Sequence, residues 1–307
     1  MRVFLTGGTG YVGAAILDAL VRGGHRVDAL VRNSEGAARV QGRGAQPVLG
    51  DVMQPATWRD AAAAADGSVH AAAESGVRAR ELDAAAVDTL TSLPPKAGRV
   101  LVYTSGIWVL GPAPAPIDET APINPIELAA WRPAHEQRVL ELAKEGARAI
   151  VIRPGIVYGG SRGIVGDIVK DAANSLVRVI GSGENHWPLI YERDLGELYA
   201  RIVGTPSASG VFHATDDGAE TVNELVAALC EHAKTEPSIR HVPLAEARKK
   251  LGPYADALAL DQIVRSPRAR ALGWAPTLTS VAGNAARLFE EWQRGKAALQ
   301  SDLEHTR

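Results

Sequence analysis

The stretch "FLTGGTGYVGAAILDAL" (4–20) sets Gly7, Gly10 and Gly13 between an apolar strand-like run and an alanine-rich helical one. Gly8, Gly10 and Gly13 also read as G-x-G-x-x-G. Each residue type has a physical reason to be here. One glycine makes the tight turn, one lets the backbone approach a pyrophosphate, and one lets helix and strand pack closely. The helix that follows offers unpaired N–H groups and a partial positive charge to phosphate oxygens. The expectation is a dinucleotide held by this turn.

The next strand-like run, "RVDALV" (26–31), bears on which dinucleotide. A carboxylate at the strand end would bond the ribose 2′-hydroxyl of NAD, but Val31 stands there and Asp28 lies three residues too early. Arg32 follows and can pair with a 2′-phosphate, with Asn33 and Ser34 as further donors. This predicts NADP. Asp51, just after "QPVLG" (46–50), either accepts a bond from the adenine amine or caps a helix starting near Pro55; both readings stand.

A second cluster lies in "LAAWRPAHEQRVLEL" (128–142), where Trp131, Arg132 and His135 gather at a helix start marked by Pro133. Arginine stays protonated and can bond ribose hydroxyls but cannot be a base. His135 could exchange a proton near neutral pH. Tyr158, Tyr191 and His186 are further candidate donors, while Trp108 and Trp131 are expected to line an apolar pocket. No metal-ligand spacing and no G-x-S-x-G elbow is found, so no metal is expected.

These residues need a scaffold. Short runs rich in Val, Ile and Leu recur at 2–6, 26–31, 46–50, 67–72, 99–105 and 147–154, with helical segments such as 13–24 and 56–67 between them. That alternation predicts an α/β fold: a Rossmann-type, doubly wound parallel sheet covered on both faces. After residue 155 the pattern loosens, a helix is expected over 192–204 and a strand over 210–216, and the remainder reads as mostly helical.

The bulk numbers narrow the partners. The chain has 307 residues, 46% hydrophobic and 22% charged, with 33 basic against 35 acidic residues. No basic field for nucleic acid or a membrane surface follows from that balance, and no apolar run is long enough to span a bilayer. A single cysteine, Cys230, rules out an intrachain disulfide. With no signal-peptide pattern visible, a cytoplasmic protein is expected. A small molecule is the expected partner, and a homodimer stays open.

Taken together, "TGGTGYVG" (6–13), "GDV" (50–52), "HAAA" (70–73), "VYTSG" (102–106), "RPGIVYGG" (153–160) and "YERDLGELY" (191–199) resemble the extended short-chain dehydrogenase/reductase superfamily, in its NAD(P)-dependent epimerase/dehydratase-like form. The resemblance implies an NADP-binding Rossmann domain over 1–158, with 190–215 returning to it. A smaller, mostly helical substrate domain would take 159–189 and 216–300, ending in a polar tail over 301–307. It implies cofactor contacts from Thr6, Gly7, Gly8, Gly10, Tyr11, Val12 and Gly13. Further contacts would come from Arg32, Asn33, Ser34, Asp51, Val52, Ala72, Thr104, Arg132, Pro154 and Gly155.

The family's chemistry uses a Ser/Thr, and a Tyr four residues before a Lys. This chain departs from that set. Gly106 falls at the hydroxyl position, with Ser105 just before it. Aligning "EQRVL" puts Leu128 at the Tyr site and Arg132 at the Lys site, whereas a shifted register would put Trp131 and His135 there. Ser105, Arg132, Tyr191 and His186 are the candidate catalytic residues. The expected function is an NADPH-dependent oxidoreductase reducing a small apolar carbonyl, imine or activated alkene. An NADP-binding sensor without turnover, or a nucleotide-sugar epimerase or dehydratase, are the alternatives.

Overall fold

The computed structural model describes residues 1–74, 76, 78–94, 96 and 98–305, with side chains through Ala297. Its first half alternates strand and helix: β1 (Arg2–Thr6), α1 (Tyr11–Arg22), β2 (Arg26–Val31), α2 (Ser34–Gln41), β3 (Gln46–Leu49), α3 (Arg59–Ala64), β4 (Gly67–His70), α4 (Ala79–Thr91) and β5 (Val100–Thr104). There follow β6 (Ala113–Ile117), α5 (Arg132–Glu141), β7 (Arg148–Pro154), β8 (Ile156–Tyr158), α6 (Gly163–Ala173), β9 (Leu176–Ile180), β10 (Leu189–Tyr191), α7 (Glu192–Gly204) and β11 (Gly210–Ala214). The rest is α8 (Val222–Glu231), β12 (Ser238–Val242), α9 (Leu244–Leu251), α10 (Tyr254–Leu258), β13 (Gln262–Val264), α11 (Pro267–Ala271) and α12 (Ala285–His305).

Seven strands form one parallel sheet in the order β11-β7-β5-β4-β1-β2-β3. Both faces are buried, and β1 shows how. Val3 and Leu5 enter one core with Ile16 and Leu17 of α1 and Leu195 and Leu198 of α7. Phe4, between them, faces the other way and stacks on Trp58, centroids 5.5 Å apart, in a core shared with α4 and α5. The strand order reverses between β1 and β4, which leaves a crevice beyond their carboxyl ends.

A second core is built from β8, α6, β9, β10, α8 and α12, with Ile156, Tyr158, Val169, Leu225 and Trp292 at its centre. Three short parallel pairs, β8–β10, β9–β12 and β6–β13, stitch this part together. Composition pointed to a mostly helical remainder, so these strands are an addition. β6 reads "APAPI" and β12 reads "SIRHV", neither with a strand-like apolar run. The tail expected from 301 onward is, as far as His305, the last part of α12; residues 306 and 307 lie outside the described ones.

Candidate cofactor and active site

The glycine turn after β1 is shaped by what a Cβ would strike. At Gly7, with φ +80°, it would fall 2.6 Å from the Ala71 backbone, which crosses the turn from the end of β4. At Gly13 it would fall 2.0 Å from the Gly7 carbonyl oxygen. At Gly8 it would press on Leu17 and Leu5, 3.1 and 3.3 Å away. Gly10 differs: its Cβ would meet only the Gly7 oxygen, at 3.1 Å, and otherwise open space. The Gly10 amide donates to Gly7 (2.8 Å) and α1 starts with no side-chain cap. The amides of Tyr11, Val12 and Gly13 therefore form the free, partly positive end of the helix. These residues fit a dinucleotide pyrophosphate.

At the end of β2, Arg32 is exposed and lies beside Glu74, while Val31 is buried in the sheet. Ser34 opens α2, and the Asn33 side chain accepts from the Gly36 amide (2.8 Å) as the cap of that helix. Its carbonyl oxygen is thus already used. Asp51 does not cap the turn at Pro55, where Gln54 holds the capping position. It accepts instead from the Met53 amide (2.8 Å), and its carbonyl accepts from Trp58 Nε1. Val52 is buried beneath this loop, and Ala72 packs against the same core.

Across the crevice, Thr6 pairs in register with His70, and Thr6 Oγ1 lies 2.7 Å from His70 Nδ1. Two backbone amides, of Ala71 and Ala72, donate to the same hydroxyl, so its proton goes to the histidine. His70 Nε2 then faces Asp83 (3.3 Å), His135 Nδ1 meets Asp83 at 2.6 Å, and the Tyr103 hydroxyl donates to Asp83 at 2.8 Å. Arg132 Nη1 donates to that hydroxyl (3.4 Å) and to the Thr104 carbonyl (3.3 Å). One buried carboxylate on α4 thus collects donors from β4, β5 and α5. Burial alone would push Asp83 up; the hydrogen bonds of His135 and His70 and the charge of Arg132 outweigh it and hold the carboxyl well below the usual carboxylate range.

Trp131, Arg132 and His135 form one stack. The Arg132 guanidinium sits 4.4 Å from the Trp131 ring centre, and the His135 ring meets the same indole edge-on at 5.2 Å. Glu136, one residue on, turns into the protein, where Arg153 holds it through Nη2 at 2.6 Å. That pairing faces Glu136 toward β7 and leaves Arg132 toward the end of β5. Leu128 is 39% exposed, and a Cβ on Gly106 would meet nothing within 4 Å.

The other candidates are placed differently from expectation. Ser105 is buried and its hydroxyl donates to Glu136 Oε1 at 2.5 Å, because β5 and β7 are neighbours and bring Arg153 beside it. It anchors an ion pair and does not face open space. Tyr191 is 1% exposed and donates to Glu291 Oε1 (2.9 Å) on α12; burial first, then Glu291, push its hydroxyl up to about 12. It belongs to the second core, with its hydroxyl turned to Glu291 of α12. Tyr158 lies against it, fully buried, bonded to the Leu278 carbonyl (3.3 Å) and Asp216 (3.4 Å). His186 is partly exposed and tied to Asp261 Oδ1 through its amide (2.9 Å) and Nδ1 (2.8 Å), which leaves Nε2 free.

The remaining motif residues brace the cleft. The Tyr11 hydroxyl donates to the Gly159 carbonyl (2.8 Å), tying α1 to the second core. Thr104 Oγ1 accepts from Tyr199 of α7 (2.7 Å). Pro154 is buried at the end of β7, and a Cβ on Gly155 would fall 2.4 Å from the Pro188 carbonyl. Trp108 is half-buried and meets Tyr254 edge-on, centroids 6.4 Å apart. Cys230, in α8, packs against the second core. Sequence reasoning did not single out Asp83, Tyr103, Glu136 or Glu74. Among the described residues no group of three or more His, Cys, Asp or Glu could hold a metal, and no helix is long and apolar enough to cross a membrane.

A parallel doubly wound sheet with a glycine-lined turn at its switch point defines a nicotinamide-dinucleotide-type Rossmann protein. Residues 3–214 match the NAD dependent epimerase/dehydratase family, and the chain belongs to it. The chain is 27% identical over 260 residues to a 4-hydroxy-2-methyl-3-oxo-4-farnesyl-3,4-dihydroquinoline-1-oxide ketoreductase of Stigmatella aurantiaca, covering 81% of this chain and 78% of that one. A Thermus thermophilus UDP-glucose 4-epimerase solved with NAD superposes with a TM-score of 0.79 at 20% identity, over 95% of this chain and 99% of that one. Human epimerase family protein SDR39U1, solved with NADPH, gives 0.77 at 21% identity, over 94% and 99%.

Proposed function

We propose that this chain is an NADP(H)-dependent reductase of a small apolar carbonyl compound, the same chemistry serving an imine or activated alkene. The observation that carries it is a dinucleotide cradle joined to a corner without the family's tyrosine. Gly7, Gly10 and Gly13 with the amides of α1 would hold the pyrophosphate, Arg32 the 2′-phosphate, and Arg132 the nicotinamide ribose. The reduced nicotinamide, when bound, supplies a hydride. Leu128 has no ionisable group and Arg132 stays protonated, so the tyrosinate that would take a proton from an alcohol is missing. Protonating a nascent alkoxide is less demanding, because water at the open Gly106 face can give the proton.

Leu128, 39% exposed, and Trp108, two residues past Gly106 and edge-on to Tyr254, give that corner apolar surface. Such a wall favours an apolar substrate over a sugar nucleotide, and the ketoreductase relative's name agrees with that class. The test is to offer purified protein NADPH with a panel of apolar ketones, imines, enones and sugar nucleotides, and to follow loss of the reduced cofactor. Turnover with an apolar ketone is expected. Tight NADPH binding without turnover on any member would overturn the reductase reading and favour a cofactor sensor, which the missing Tyr already makes the second reading.

A further inference from the structure

Arg32 shares its charge. Its Nη1 lies 3.5 Å from a carboxylate oxygen of Glu74, which comes from the loop after β4. The acceptor groups beside it are already engaged. The Asn33 side chain caps α2, and Glu35 pairs with Arg39 at 2.7 Å. Glu74 is therefore the carboxylate that Arg32 meets among the described residues. Both side chains can move, since 73% of Arg32 and 33% of Glu74 is solvent-exposed.

We propose that Glu74 is a second determinant of cofactor choice. It competes with a ribose 2′-phosphate for Arg32, and it offers the 2′-hydroxyl of the unphosphorylated cofactor the carboxylate that β2 lacks at Val31. The chemistry follows from charge. A 2′-phosphate is a multiply charged anion that must displace Glu74 from the guanidinium and then lie near a like charge. A 2′-hydroxyl is neutral and can donate to the same carboxylate. Glu74 thus lowers the preference that Arg32 alone would give, and the balance between the two residues sets how strictly the site selects the phosphorylated form. In a solvent-exposed corner such a repulsion corresponds to about a three- to ten-fold change in binding constant.

The proposal rests on the dinucleotide reading above. Its test is calorimetric titration of NADPH and NADH into the full chain, as wild type, Glu74→Gln, Arg32→Ala and the double variant, at low and high salt. Glu74→Gln should tighten NADPH about three- to ten-fold and should not tighten NADH. The gain should shrink in high salt, because exposed charges are screened. It should be smaller without Arg32, where only the like-charge repulsion between Glu74 and the 2′-phosphate remains to be relieved. An unchanged NADPH affinity, an equal gain for both cofactors, or a full gain in the Arg32→Ala background would overturn the proposal. A wild type that binds neither dinucleotide would remove the cofactor reading and the proposal with it. Binding of both with no response to Glu74→Gln would remove the proposal alone.

Discussion

Arg132 is where cofactor binding and chemistry meet. Its guanidinium is fixed from three sides, by the Trp131 ring, the Tyr103 hydroxyl and the Thr104 carbonyl. A lysine could keep the charge but not the flat stack on Trp131. Arg132→Ala should weaken NADPH binding by about ten-fold or more, the usual worth of a hydrogen bond to a charged group, and turnover should fall with it. Arg132→Lys should retain most of both. Titration and steady-state rates on the same preparations check this; wild-type binding by the alanine variant would reduce Arg132 to a prop for Tyr103. The glycine turn and the Arg32 corner were legible in the sequence because their requirements are local. Ser105 was not, because what engages its hydroxyl is Arg153 acting through Glu136, and only the β5–β7 adjacency brings those residues together.

Among the elements, α4 and α5 are joined by Asp83, and β11 is joined to the second core by the turn that follows it. Asp216 sits in that turn, 3% exposed, its Oδ1 accepting from the Gly218 amide (2.8 Å) and its Oδ2 meeting Tyr158. Burial, reinforced by Glu220 and Asp217 against the Gly218 bond, pushes its carboxyl up to about 7. The folded chain then holds this proton more tightly than the unfolded chain, whose Asp titrates near about 3.9. The stabilisation is complete below that value and is lost as pH rises through about 7. Asp216→Asn, neutral throughout, should therefore gain stability relative to wild type as pH rises from about 4 to about 8, at most on the order of a few kcal/mol. Denaturant melts of both proteins across that range check the sign. A constant difference would mean that Asp216 ionises in the fold as it does in solvent.

Element legibility followed burial. β1, β2 and α7 fall where the sequence puts them, because two-sided burial demands strands rich in apolar residues and α7 carries an apolar stripe. β6 and β12 escaped, since a strand packed on one side, or edged with proline, need not be apolar. The Thr6–His70–Asp83–His135 chain was out of reach for another reason: its members lie on β1, β4, α4 and α5, and only the sheet order makes them neighbours.

At the scale of the molecule, the chain leaves the large sheet after β7, builds most of β8 to β10, and returns with α7 and β11. A fragment ending at Tyr158 would thus lack an edge strand and the helix that covers α1. It should show no cooperative melting transition and should expose apolar surface to a dye such as ANS. A sharp transition in that fragment would show that the return is ornamental.

The closeness of α1 and α7 also sets a clock. Gly196 is there because a Cβ would fall 2.4 Å from the Ala15 carbonyl oxygen, so the two helices touch backbone to backbone. About 170 residues separate Arg22 from Glu192. At roughly 5–20 residues per second on the ribosome, Ile16, Leu17 and Leu20 wait roughly 10–35 s for their cover. During synthesis the side of the first helix that meets α7 therefore stays uncovered until α7 is made. A pause in translation before α7 lengthens the interval in which a chaperone, or another nascent chain, reaches it first.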